Sequence, residues 1–155
     1  MAIGLISDTH DDIAPWPDVL PKVVKAFDGV ELILHCGDLT TLQVLDDLAN
    51  IAPVVAVRSP ADPDPQPPRL IDGPYVLEVG GVLIGLINSL GEQDPDRLFG
   101  RSVDVIVHGG THEARVEIRG GVLLVNPGSP TLANEVTVGV LDTRSRPPKA
   151  DIVPM

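Results

Sequence analysis

The sequence predicts an α/β sandwich: two mixed β-sheets packed face to face, with helices on the outside. Three observations carry that expectation. Residues 1–57 alternate apolar runs of strand length with helically spaced segments, which gives β-α-β-α-β and a mostly parallel sheet. From Tyr75 onward the periodicity shortens, and Gly-Gly pairs at 80–81 and 120–121 mark hairpins that supply a second sheet. Aromatic residues make up 3% of the chain against 43% hydrophobic, so the core must be Val, Ile, Leu and Ala.

The opening stretch Ala2–Ile6 reads as a strand buried on both faces, and it ends abruptly in Asp8, His10 and Asp11. In an open α/β sheet ligands gather at the carboxyl ends of strands. An extended chain would send the side chains of Asp8 and His10 to one side, placing a carboxylate oxygen beside an imidazole nitrogen as half of a metal site. Residues 14–17 read as a turn into a helix over 18–27, where Val19, Leu20, Val23, Val24 and Phe27 recur at helical spacing and Gly29 stops it. A second strand over 31–36 ends in Gly37-Asp38, and the glycine lets the chain turn so that Asp38 points back at the strand ends. Thr40 or Thr41 is the expected cap of a second helix running to Leu48, with Leu42, Leu45 and Leu48 inward. Residues 52–57 form a third buried strand.

Residues 59–68 are rich in proline and aspartate, which excludes helix or central strand and predicts a stiff, acidic surface loop. Strands follow over 75–79 and 82–88, then a short helix near 96–99. A strand over 103–107 ends in His108-Gly109-Gly110-Thr111-His112. A hairpin over 114–118 and 122–125 leads to the loop Asn126-Pro127-Gly128-Ser129, a strand over 136–141 and an edge strand over 149–153. No repeat or linker divides the chain, so a single domain spanning 1–155 is expected.

A formal net charge of −11 argues against nucleic acid and anionic membranes as partners and favours a divalent cation wherever carboxylates converge. The single cysteine, Cys36, makes no internal disulfide and reads as a small core residue. No secretory signal opens the chain and no apolar run approaches the roughly 18 residues of a membrane helix, so a cytoplasmic protein is expected.

Three strands thus end in metal-ligand residue types: Asp8 and His10, Asp38, and His112. The motifs Ser7-Asp8-Thr9-His10, His35-Cys36-Gly37-Asp38, Gly109-Gly110-Thr111-His112-Glu113 and Asn126-Pro127-Gly128-Ser129, in that order, resemble the calcineurin-like metallophosphoesterases, in particular their small single-domain prokaryotic branch. The resemblance covers nearly the whole chain. It implies a four-layer αββα fold with a metal centre at one end, hydrolysing phosphomonoesters or phosphodiesters by a metal-bound hydroxide. It further implies that Asp8, His10, Asp38 and His112 hold the first metal, with Asp62 and Asn126 as further site residues.

The second metal of the family shares Asp38 and takes an Asn, a middle-strand His and a further His. At those positions this chain has Pro60, Ser89 or Leu90, and Gly110, so every private ligand is missing. The implied cofactor is therefore one divalent ion rather than two, and mixed nitrogen and oxygen ligands suit Mn, Zn, Fe or Ni. His108 is a candidate substitute ligand, together with Asp62, Asp64 and Glu92, though a plain vacancy is the expectation, with Pro60, Ser89 and Gly110 together beside Asp38. His35 reads as a packed histidine, and Trp16 as packing that with Pro15 and Pro17 could edge a partner surface. The implied partner is a phosphate-ester small molecule. The alternative is a catalytically degenerate member that keeps the fold as a metal-binding or interaction scaffold, as the retromer scaffold subunit does in this superfamily, which leaves a homo-oligomer or protein partner open.

Overall fold

In chain order the strands are Ala2–Ile6 (β1), Leu32–His35 (β2), Val54–Arg58 (β3), Ile71–Asp72 (β4), Tyr75–Val79 (β5), Val82–Leu86 (β6), Val105–Val107 (β7), Arg115–Arg119 (β8), Val122–Asn126 (β9), Thr137–Asp142 (β10) and Lys149–Pro154 (β11). Helices are Trp16–Ala26 (α1), Gln43–Ala49 (α2) and Pro95–Phe99 (α3). The computed structural model describes residues 1–10, 14–63, 65 and 68–155.

The β-α-β-α-β opening forms as predicted, with β1, β2 and β3 parallel in that spatial order. The sheet is extended by β4 on one side and by antiparallel β10 and β11 on the other, giving the order β11-β10-β1-β2-β3-β4. The second sheet has the order β5-β6-β7-β9-β8, with parallel pairing at its centre and an antiparallel hairpin at each edge. Both sheets are mixed, and both direct the carboxyl ends of their parallel strands at one end of the molecule, where the intervening loops touch.

Four layers follow from three apolar seams. Ile3, Leu5, Leu34 and Val57 of the first sheet meet Ile84, Leu86, Val105, Val107 and Val125 of the second. On the outer face of the first sheet, Ile6, Ile33 and Val138 pack on Trp16, Val23, Phe27 and Leu48 of the helical side. On the outer face of the second, Ile106 and Leu124 pack on Leu98 and Phe99. Both phenylalanines lie flat over strand glycines: a Cβ at Gly4 would come 3.0 Å from the Phe27 ring, and one at Gly85 would come 2.7 Å from that of Phe99.

Several boundaries differ from the sequence expectation. The predicted turn over 14–17 is the first turn of α1, because Pro15 is its N-cap and Pro17 stands where a missing N–H costs nothing. Val24 falls off the buried stripe and is 48% exposed, while Trp16 is buried and its indole N–H donates to Asp47 of α2 at 2.9 Å. Pro15 and Pro17 are exposed beside it. Leu42 rather than Thr40 or Thr41 is the N-cap residue of α2, although the Thr41 hydroxyl does accept from the Gln43 N–H, the first of the helix, at 3.3 Å. Val44 joins Leu45 and Leu48 on its buried face, and Leu42 is half-buried against Leu39, Leu45, Ala56 and Leu70. β6 ends at Leu86 rather than 88, which frees the following residues to turn into the loop end. The short strand β4 was not anticipated, since two residues beyond a proline loop carry no periodic signal.

Candidate metal centre

Asp8 leaves β1 in a left-handed conformation, φ 55°, rather than the extended one expected of D-x-H. Its backbone is clamped on both sides. The Asp8 N–H donates to the Gly37 carbonyl at 3.0 Å, and its carbonyl accepts from the hydroxyls of Ser129 at 2.7 Å and Thr131 at 3.2 Å. Asp38 (φ 59°) and His112 (φ 66°) are also left-handed, as is Thr40 (φ 58°). A non-glycine residue there costs about 1 kcal/mol or more, and such strain collects at functional sites. Three of the four residues expected to bind metal carry it.

Oδ2 of Asp8 is fully used: it accepts from the Ser7 hydroxyl at 2.7 Å and the Gly110 N–H at 3.0 Å. Gly109 makes that approach possible, since a Cβ there would lie 2.0 Å from Ser7 Oγ and 2.8 Å from Asp8 Oδ2. Oδ1 is left facing two imidazoles, 3.7 Å from His10 Nε2 and 3.4 Å from His112 Nε2. The two rings meet edge to face with centroids 5.1 Å apart. Ligand atoms of Asp8, His10 and His112 all fall within 4.8 Å of one another. Among the described residues, Asp8 Oδ1 and His10 Nε2 are the buried side-chain polar atoms without a hydrogen-bond partner. A buried carboxylate oxygen and ring nitrogen converging without a partner are costly unless a cation joins them, so these residues fit a divalent ion.

Asp38 stands at the edge of this cluster, outside the three converging ligand atoms, and near enough to Asp8 that each carboxyl shifts the proton affinity of the other. Burial raises the Asp8 carboxyl above the usual range, opposed by the Gly110 and Ser7 bonds and reinforced by Asp38. Burial also works to raise Asp38, but the nearby polar groups of Ser59, Asn88 and Asp8, with the His10 ring, bring it below the usual range. The loop that presents Asp38 is held by Asp62, which is buried. The Asp62 carboxylate accepts from the N–H groups of Asp38 (2.8 Å), Leu39 (2.9 Å), Thr40 (3.5 Å) and Ser59 (2.9 Å). With both oxygens so engaged, Asp62 orients the loop and is not free to ligate. Asn126 does the same for the His112 loop: its amide donates to Thr111 Oγ1 at 2.9 Å and its oxygen accepts from the Gly128 N–H at 2.9 Å.

His108 stands apart from the cluster. It lines a separate pocket of about 220 Å³ with Arg115, Glu117 and Arg119 of β8, and burial, ahead of those charges, lowers its pKa. Glu92 is exposed, and Asp64 lies outside the described residues. His35 is buried and neutral: its Nδ1 accepts from the Gly37 N–H at 2.9 Å, so Nε2 carries the hydrogen and donates to Thr9 Oγ1 at 3.0 Å. Burial lowers its pKa to about 4 and pushes the Cys36 thiol up.

Ser89 and Gly110 are neighbours, the Ser89 Cβ lying 3.4 Å from where a Gly110 Cβ would be, and Pro60 follows Ser59, whose N–H shares the Asp62 carboxylate with that of Asp38. The residue after β6 that turns to Asp38 is Asn88, with Nδ2 3.3 Å from Asp38 Oδ2. Asn88, rather than the expected Ser89 or Leu90, holds that place, and the sequence carries no signal for it because an asparagine at a strand end is ordinary. Beside the centre, a pocket of about 660 Å³ is walled by His112, Glu113, Thr131, Asn134 and Glu135.

Comparisons with known proteins point to one family. The calcineurin-like phosphoesterase superfamily domain matches residues 1–146. A protein named "Probable metallophosphoesterase" from Methanocaldococcus jannaschii is 39% identical over 140 residues, covering 85% of this chain and 69% of its own. Another of that description, from Methanothermobacter thermautotrophicus, is 34% identical over 160 residues, covering 97% and 90%. Among solved structures, an archaeal phosphodiesterase superposes with a TM-score of 0.78 at 24% identity over all of both chains. Vacuolar protein sorting 29 from Chaetomium thermophilum superposes with 0.76 at 22%, covering 100% and 97%. At those identities the structural matches speak for the fold.

Proposed function

The chain belongs to the calcineurin-like phosphoesterase superfamily, and from that premise we propose that it hydrolyses phosphate monoesters or diesters with one divalent ion held by Asp8, His10, Asp38 and His112. The observation that carries the proposal is the pair of buried, unpartnered atoms, Asp8 Oδ1 and His10 Nε2, facing His112. A divalent ion bound there would supply activation of water and neutralisation of phosphoryl charge. Everything else is done by the chain. Ser7 and Gly110 fix one oxygen of Asp8 so that the other points inward. Asp62 and Asn126 pin the loops that carry Asp38 and His112. The pocket beside His112 has room for the organic part of an ester, and the short side chains of Thr111 and Thr131 give it polar walls.

The test is metal content and activity together. After stripping and reloading with Mn, Zn, Fe or Ni, the wild type should retain about one equivalent by elemental analysis, and Asp38→Ala should retain less. A wild type that stays metal-free after loading would sink the proposal. A second reading, a scaffold that keeps the fold without catalysis, is favoured by the absence of side-chain ligands at Pro60 and Gly110. It expects metal binding without turnover of p-nitrophenyl phosphate or bis-p-nitrophenyl phosphate.

A further inference from the structure

Asp38 turns one carboxylate oxygen, Oδ2, to the amide of Asn88 at 3.3 Å. The same Asn88 nitrogen donates to the Cys36 carbonyl, at the end of β2, at 2.8 Å. Two acceptors on one side of the amide decide its orientation: turned over, the Asn88 oxygen would face a carbonyl and a carboxylate. At the three positions where a second ion would find its own ligands, no imidazole or carboxylate is on offer. Pro60 has no side-chain ligand atom, Gly110 has no side chain and a φ of 89° that resists one, and Ser89 is exposed over Gly110. A carboxylate that bridges two ions needs a lone pair facing each of them, and here an amide donor meets Asp38 Oδ2 instead.

We propose that Asn88 is a positioning residue that takes the place of a second cation at Asp38, holding that carboxylate as a ligand of a single ion. The inference rests on the reading of Asp8, His10, Asp38 and His112 as the metal site, and it adds a residue and a reason for the stoichiometry. An amide donor satisfies the anionic oxygen without adding charge, and its anchor to β2 fixes the direction in which Asp38 points.

Mn²⁺ titration by calorimetry, with electron paramagnetic resonance of the loaded protein, tests it. The wild type should bind one Mn²⁺ per chain with an uncoupled, mononuclear spectrum. Asn88→Ala should still bind one ion, about tenfold more weakly, as expected when a ligand loses its hydrogen-bond partner. Asn88→Asp keeps the shape but exchanges the donor for a carboxylate, and should take up a second Mn²⁺ with an exchange-coupled spectrum. Two ions in the wild type would overturn the inference while leaving the metal site intact. So would unchanged affinity in Asn88→Ala, or, if that variant does not fold, a single ion of unchanged affinity in Asn88→Asp. A wild type that binds no ion refutes the metal site itself.

Discussion

His35 is enclosed on all sides and held neutral by the Gly37 N–H on Nδ1, so the folded protein resists its protonation down to about pH 4, against 6.5 for an ordinary histidine. The unfolded chain takes up that proton first. Stability from this residue is therefore intact above pH ~6.5 and is lost as pH falls toward ~4, by about 3 kcal/mol in the limit. Denaturant unfolding of metal-free protein at pH 7.5 and 4.5 should show a larger loss for the wild type than for His35→Gln. Equal losses would mean that His35 is not the buried neutral group described. Residue types that ligate metals were legible in the sequence because Asp8, His10, Asp38 and His112 each follow an apolar run. Asn88 and the buried role of Asp62 were not, because both depend on which loops meet across two sheets.

At the scale of elements, the loops do the positioning and the strands only aim them. The segment from Asp38 to Thr40 contains two left-handed residues, and four backbone N–H groups around it converge on one Asp62 carboxylate. Removing that acceptor leaves buried donors unpaired, at about 1–3 kcal/mol. Asp62→Ala should lower stability by that order and weaken metal binding about tenfold, since Asp38 loses its support. Calorimetric titration of the variant with Mn²⁺ checks this, and wild-type affinity would show that the loop holds its shape without Asp62. Periodicity identified every strand but the two-residue β4, and it placed the helices to within a few residues. It missed the start of α1 because Pro15 and Pro17 look like a turn until Trp16 is seen buried against α2.

Across the whole molecule, two mixed sheets bring the ends of β1, β2, β3, β6, β7 and β9 to one pole, and every residue of the proposed metal centre lies there. The fold class was legible because the chain changes its hydrophobic period midway, but that the two sheets point their parallel ends the same way was not. An ion that binds only the folded chain stabilises it in proportion to the logarithm of its concentration, so chelation should lower the melting temperature and Mn²⁺ should restore it. The central claim is metal-dependent phosphoester hydrolysis at this pole. Its most direct measurement is the rate of bis-p-nitrophenyl phosphate and p-nitrophenyl phosphate hydrolysis by chelator-stripped protein, by the same protein reloaded with Mn²⁺, and by reloaded Asp8→Asn. Stripped protein should show no turnover, reloading should restore it, and Asp8→Asn should lose at least about a hundredfold, as an order of magnitude for removing a group that anchors transition-state charge stabilisation. Reloaded wild type that turns over neither substrate faster than Asp8→Asn would contradict the central claim.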